Sequence, residues 1–295
     1  MYILGMTIEV VEWFQSFQNG FLDFFFNAIS FLGEEYVFIA IMGLVYWTYN
    51  KKFGEFLGLT LATTAVVNNV LKELFNAQRP FAEYPDRVNN LRSYTSTGRS
   101  FPSGHVQLFS TFYYGLVFYL KKKWVFVTVS IFVILMMMSR MYLGVHYLED
   151  VIAGALIGLL LGYIFYYYFD KLYENQQLLH KVYIIIILIA LPFTLLLGSV
   201  DLFKAFGILT GMVFAVMYEK KYVNFSLDTT KLKKVIRLVI GVIIMISLQE
   251  GLKFLYSPFL DEGTYLFDVL SSIRYFLLTF IGIGIYPKAF KKFNF

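Results

Sequence analysis

The chain has 295 residues, 58% of them hydrophobic and 20% aromatic, and only 15% charged. A soluble domain does not combine so much apolar residue with so little charge, and the mean hydropathy of +0.64 points to a protein that crosses a membrane several times. The absence of cysteine excludes a disulfide framework and thiolate chemistry, and a total of three histidines argues against a multi-histidine metal centre. The formal charge of +5 would ordinarily raise nucleic acid as a partner, but the basic residues flank apolar segments, so they are read as orientation signals and no nucleic acid is expected.

Residues 1–33 mix Ile8, Val11, Trp13, Phe14 and Phe17 with Glu9, Glu12, Gln15 and Gln18. That pattern predicts an amphipathic helix lying in the membrane interface, with a marginal span over 8–31 as the alternative. No Lys or Arg precedes Lys51, so the start does not read as a secretory signal peptide. Spans judged against the roughly 20 apolar residues a bilayer needs follow at about 35–50, 54–76, 105–120, 124–142, 146–169, 181–198, 202–218, 234–256 and 265–286. The expectation is an all-α, polytopic transmembrane bundle of about eight or nine membrane helices. The longest polar gap is 77–104, which carries Arg79, Arg87, Arg92 and Arg99.

The loops give an orientation. Lys51 and Lys52, Lys121 to Lys123, Lys171 and Lys181, Lys220 and Lys221, Lys231 to Lys234 and the tail Lys288, Lys291 and Lys292 fall after alternate spans. Excess lysine in short loops marks the cytoplasmic face. The 77–104 gap and the turn around His146 are therefore expected on the extracytoplasmic side of a cell membrane, with the basic loops and C-terminus inside.

Three polar clusters fall on the ends of spans predicted to face outward. The first is Lys72-x6-Arg79-Pro80, the second Pro102-Ser103-Gly104-His105, and the third Ser139-Arg140-x5-His146-x3-Asp150. Lys72, Arg79 and Arg140 bring three cations from three segments. Arginine suits phosphate oxygens bidentately and lysine acts as a point charge. Ser103 and Gly104 precede a helix N-terminus, where free N–H groups attract an anion and glycine lets the backbone come close. His146 and Asp150 lie four residues apart and share one helical face, so the carboxylate can hold one ring nitrogen and leave the other free to attack. His105, beside the phosphate donors, is the better general acid. Ser139 is a further donor to phosphate or a holder of Arg140.

These three motifs, in this order and on these segments, resemble the type 2 phosphatidic acid phosphatases. The resemblance covers about residues 50–170, and a softer likeness runs from Gly33 through Tyr46-Trp47 to Pro80-Phe81. It implies the same roles: His146 as nucleophile through a phosphohistidine, His105 as general acid and base, Asp150 as orienter, with no metal and no cofactor. It divides the chain into an N-terminal interfacial region 1–33, a catalytic transmembrane core 34–172 and a C-terminal transmembrane extension 173–295. The extension lies outside the motifs and has Gly207-x-x-x-Gly211 and the polar residues Gln249, Glu250, Lys253, Asp268 and Arg274 inside apolar runs. Glu250 with Lys253, and Asp268 with Arg274, are expected to pair.

The expected function is hydrolysis of a phosphate or diphosphate from a lipid entering from the bilayer. Candidate substrates are a polyprenyl diphosphate such as undecaprenyl diphosphate, phosphatidylglycerol phosphate, phosphatidic acid or a sphingoid-base phosphate. The alternatives are a lipid phosphotransferase and a lipid transporter or binding protein. Gly154, Gly158 and Gly162 read as helix packing, and Arg87, Arg92 and Arg99 as solvated loop residues or headgroup contacts.

Overall fold

The computed structural model of the chain describes residues 8–93, 96–293 and 295. The described residues form helices and loops. In order they are α1 (Ile8–Gln15), α2 (Gly20–Phe31), α3 (Glu35–Leu44), α4 (Lys51–Phe75), α5 (Pro80–Glu83), α6 (Gly104–Leu120), α7 (Lys123–Tyr142), α8 (Leu148–Tyr173), α9 (Gln176–Leu197), α10 (Val200–Tyr218), α11 (Lys231–Phe254), α12 (Tyr265–Thr279) and α13 (Lys288–Lys292). Wider π-helical turns continue α3, α10 and α12.

By length and apolarity α7 to α12 can each cross a membrane, and the pair α2 and α3, bent by 49°, makes a seventh candidate. The chain is a multi-pass membrane protein. Two further helices bring the total near the number expected. The 25-residue α4 is less apolar because Glu55, Asn68 and Asn69 interrupt it. The 17 residues of α6 are short for a bilayer at 1.5 Å each.

The N-terminal region is neither one interfacial helix nor one span. Asn19 caps α2 by accepting from the Leu22 N–H at 3.0 Å, and Gly20 opens that helix, so α1 and α2 are separate. Ile8 and Val11 of α1 are buried with Val88 and Tyr147, and Glu12 forms an ion pair with Arg87 at 2.6 Å. The helix thus packs over the loop regions 80–93 and 143–147.

The chain folds into two compact units, one of residues 1–37 and 67–166, the other of 38–66 and 167–295. In the first, α6 and α8 meet backbone to backbone along the glycine stripe. A Cβ built on Gly154, Gly158 or Gly162 would lie 2.8, 2.5 or 3.1 Å from the carbonyl oxygens of Ser103, Gln107 and Thr111. The spacing of four keeps the three glycines on one face. In the second unit, Gly207 and Gly211 of α10 take the backbone of Ser272 and Phe276 of α12 in the same way.

The second unit also gathers the charges at the start of α4. Glu219 is fully buried and accepts from Lys51 Nζ at 2.7 Å, the Phe225 N–H at 3.0 Å and the Tyr46 hydroxyl at 3.3 Å. Glu55 accepts from Lys220 at 2.8 Å and from the Tyr183 hydroxyl at 2.9 Å. Both of these carboxylates have a lysine partner, as the low dielectric favours.

The pairs expected in the extension do not form. Glu250 and Lys253 are exposed, while Asp268 and Arg274 are buried without an ion pair to each other. Six residues on one helix turn through about 240° net, so these two side chains leave α12 in different directions.

Candidate active site

The candidate site lies in the first unit, where the last turn of α4, the start of α6, the end of α7 and the start of α8 converge. The Ser103 N–H donates to the Asp150 carbonyl at 2.9 Å, joining the entry of α6 to α8. Asn68, one turn before Lys72 on α4, donates to Gln107 Oε1 at 2.8 Å and to the Pro102 carbonyl at 3.3 Å. The Ser100 N–H donates to the Ala77 carbonyl at 2.9 Å, closing the long loop onto the end of α4. Gly144 has φ +73° in the tight turn after α7, where a Cβ would meet the Asn89 carbonyl at 2.2 Å. Only glycine fits there.

His146 follows that turn and is 1% exposed. Its Nδ1 lies 3.2 Å from Asp150 Oδ2. The same oxygen accepts from the Tyr147 N–H at 2.9 Å and from the Ser100 hydroxyl at 2.5 Å. Ser100 Oγ is also 3.3 Å from His146 Nδ1. On the other side of the ring, Arg79 Nη1 lies 3.2 Å from His146 Nε2. These contacts decide the tautomer. A guanidinium can only donate, so Nε2 is the acceptor and Nδ1 carries the proton toward Asp150. Burial, followed by the charges of Arg79, Arg140 and Lys72, holds the imidazole well below its ordinary value of 6.5. The ring is therefore neutral near pH 7, with its Nε2 lone pair directed at the cations.

The cations are themselves fixed. Arg79 donates to the carbonyls of Thr97, Gly98 and Val145 at 2.6, 3.0 and 3.0 Å. Lys72 Nζ donates to the Arg99 carbonyl at 2.6 Å. Arg140 is fully buried and donates to the Ser30 hydroxyl on α2. Ser103 is fully buried at the N-cap of α6, yet its hydroxyl makes no capping bond and has no partner. A Cβ on Gly104 would lie 3.1 Å from Asn68 Oδ1 and 3.9 Å from Lys72 Cε, so the missing side chain leaves the α6 entry open toward Lys72. His105 faces Gly33, whose Cβ would be 3.3 Å from the His105 ring, and His105 Nε2 has no partner.

Eight of the nine expected residues thus lie around one constellation, and the ninth, Ser139, bonds to α2. Ser139 donates to the Phe26 carbonyl at 2.7 Å and ties α7 to α2. Its motif position lies one residue before Arg140, which a helix rotates by about 100°.

Two roles escaped the sequence reading. Ser100 touches both His146 and Asp150, but it sits in an irregular loop with no periodicity to mark it. Arg92 reads from the sequence as a solvated loop residue or a headgroup contact. It is instead 2% exposed, paired with Glu34 and bonded to the Asn27 side chain at 2.6 Å. Asn68 was accessible in principle, since it shares a helical face with Lys72.

Ser100 positions the histidine–carboxylate pair. Ser100→Ala is expected to lower kcat about 10- to 100-fold, the worth of one hydrogen bond to a charged group, with KM little changed. Steady-state kinetics check it. A rise in KM with kcat intact would assign Ser100 to ground-state binding.

The PAP2 superfamily model matches residues 55–174, and the model for the transmembrane extension of PAP2 superfamily phosphatases matches residues 203–295. Phosphatidylglycerophosphatase B of Bacillus subtilis is 30% identical over 149 residues, which cover 47% of this chain and 70% of that protein. The chain belongs to the PAP2 superfamily. Undecaprenyl-diphosphatase of Sulfolobus acidocaldarius is 32% identical over 160 residues, covering 52% of this chain and 74% of that protein. A probable sphingosine-1-phosphate phosphatase of Dictyostelium discoideum is 31% identical over 169 residues, 52% of this chain but only 40% of that longer protein. Membership of PAP2 and the phosphatases among these relatives support a lipid phosphate hydrolase. The two family matches also divide this PAP2 chain into a motif-bearing part and an extension.

Proposed function

We propose that this PAP2 protein hydrolyses a phosphate or diphosphate from a membrane lipid through a phosphohistidine at His146, on the extracytoplasmic face. The observation that carries this reading is the buried His146 ring, held at Nδ1 by Asp150 with the Arg79 guanidinium at Nε2. Phosphoryl transfer asks the protein mainly for positioning and for fixed positive charge around the equatorial oxygens.

In the first step the phosphoryl oxygens take the donors of Arg79, Arg140, Lys72 and the Ser103 hydroxyl. As Arg79 turns its Nη1 to a phosphoryl oxygen, it frees Nε2. That nitrogen attacks phosphorus opposite the leaving oxygen, a P–N bond forms and the P–O bond to the lipid breaks. The bound phosphate dianion favours the protonated form of His105, which gives that proton to the leaving oxygen, so a neutral alcohol departs, or a lipid monophosphate from a diphosphate. Asp150 stabilises the positive charge that His146 acquires. In the second step His105, now neutral, takes a proton from water as the water attacks phosphorus. The P–N bond breaks, and free phosphate and His146 are regenerated.

The site is at the ends of α4, α6, α7 and α8 opposite their lysines, at 51–52, 121–123 and 171. The lysine rule places those lysines in the cytoplasm and the site outside. Polyprenyl diphosphate, phosphatidylglycerol phosphate and phosphatidic acid are the substrates to test, entering laterally from the outer leaflet.

The deciding assay is phosphate release by detergent-purified protein against that lipid panel. Release of free phosphate is expected with at least one member. Label passing to an added alcohol without free phosphate would identify a phosphotransferase instead. EDTA is expected to leave activity unchanged, and vanadate, which resembles the five-coordinate transition state, to inhibit. Restoration of a chelated, inactive enzyme by Mg²⁺ would count against transfer supported by side chains alone.

A further inference from the structure

Within the second unit, α11 and α12 enclose a polar cluster that the phosphatase site does not use. Arg274 on α12 is 5% exposed, and its Nε and Nη1 have no hydrogen-bond partner. Among the described residues it forms no ion pair. Its guanidinium lies 4.8 Å from the centre of the Tyr275 ring and 5.8 Å from that of Tyr256. Aromatic faces soften such a charge but accept none of its hydrogen bonds. Arginine cannot neutralise itself by losing a proton. Buried between membrane helices, it calls for an anion.

The surrounding groups suit a phosphate-bearing ligand. Gln249 on α11 donates to the Tyr275 hydroxyl at 3.1 Å, and its Oε1 has no partner. One amide atom is thus left to accept a hydroxyl from a ligand. The Tyr256 hydroxyl is bonded to Ser271 Oγ at 2.9 Å. Tyr256 lies in the turn after α11, and helical side chains lean toward the helix N-terminus. Arg274 stands nine residues, about 14 Å, past the start of α12, and its side chain leans back toward that end. Asp268 has a bare Oδ1 on the same helix, but it leaves α12 in another direction, beside Lys204.

The neighbouring surface favours an amphiphile over a free ion. Phe254, Leu255 and Phe259 around the turn are 73%, 68% and 80% exposed. Acyl chains fit that apolar rim, whereas a hydrated anion gains nothing there. We propose that Arg274, with Gln249 and Tyr256 beside it, binds the phosphate headgroup of an anionic membrane lipid at a site separate from the phosphatase residues.

The test is native mass spectrometry of the full chain in detergent, titrated with dioctanoyl phosphatidylglycerol. This phosphodiester offers no terminal phosphate to hydrolyse. The zwitterionic dioctanoyl phosphatidylcholine and inorganic phosphate serve as comparison arms. One equivalent of phosphatidylglycerol is expected to bind in preference to phosphatidylcholine. Arg274→Met should weaken it about 10- to 100-fold, the worth of hydrogen bonds to a charged group, while Arg140→Ala should leave it in place. Equal binding by wild type and Arg274→Met would overturn the proposal, as would equal binding of the two lipids. Displacement of the lipid by equimolar inorganic phosphate would overturn the lipid assignment. Should Arg274→Met fail to give a monodisperse protein, Arg274→Lys keeps the charge and loses the planar donor set. Unchanged affinity in that variant would likewise overturn the proposal.

Discussion

Replacing His146 with alanine is expected to lower kcat by about 10,000-fold or more, because the P–N bond can no longer form. The loss should exceed that of any other single substitution in the site, and no phosphorylated protein should be trapped from labelled substrate. The neighbours set a graded series. Asp150→Asn keeps the shape around Ser100 and Tyr147 but removes the charge that favours the Nδ1–H tautomer, so turnover is expected to weaken without vanishing. A phosphoenzyme that still forms in His146→Ala would place the nucleophile elsewhere.

The same histidine has a pH signature. Its folded value is depressed below 6.5 by burial and by Arg79, Arg140 and Lys72. The free enzyme therefore keeps a neutral Nε2 as pH falls through 6.5, and the acid limb that His146 sets in kcat/KM should lie below that value. Stability declines in the same direction but begins to do so at higher pH. Below pH 6.5 the unfolded chain takes up a proton that the folded site refuses, so this contribution is present above 6.5 and declines as pH falls. It levels off only when the folded imidazole protonates. Phosphate release across pH, with thermal unfolding in the same buffers, checks both.

Gly158→Ala is expected to damage both stability and activity although it is remote from the chemistry. The added Cβ would lie 2.5 Å from the Gln107 carbonyl oxygen and 3.0 Å from the Thr111 nitrogen. Both are backbone atoms of α6, so no side chain can move aside and the helices must part. Overpacking of this kind costs about 1–3 kcal/mol. Because α6 carries Ser103 and His105 and α8 carries Asp150, separation also misaligns the site, and kcat should fall with thermal stability. Gly162→Ala is the milder comparison, since its nearest atom is 3.1 Å away. Thermal unfolding of the two variants in one detergent tests the order. Equal tolerance would show that α6 and α8 are not held by close backbone contact.

The two series test different levels of the same construction. His146 acts through a lone pair whose direction Asp150, Ser100 and Arg79 set. Gly158 acts only by letting two helices approach. Loss of activity with unchanged melting marks the first kind, and joint loss marks the second.

Much of the site was legible because its chemistry is written in local spacing. The four-residue interval from His146 to Asp150 becomes a contact on almost any helical start, and it does so at 3.2 Å. The glycines at 154, 158 and 162 make one face by the helical repeat alone. Membrane class follows from composition, since hydrocarbon tolerates few charges. What failed depended on direction around a helix or on loops. Ser139 and Arg140 are adjacent in sequence and point to different partners, Phe26 and Ser30. Asp268 and Arg274 are charges of opposite sign on one helix, but six residues separate them and no pair forms. Arg92 looked solvated because polar loops usually are, yet Glu34, far away in sequence, draws it inside.

The sequence by itself determined that this is a helical membrane protein with three phosphate-binding and histidine-bearing motifs, because apolar length, residue chemistry and short spacing are local properties. Only the tertiary structure decided that Ser100 completes the His146–Asp150 pair, that Arg79 rests on Nε2, and that Ser139 bonds to the Phe26 carbonyl. Those facts depend on which segments far apart in the chain meet. That meeting is fixed by close helix packing and by the hydrogen bonds that buried polar groups make across it.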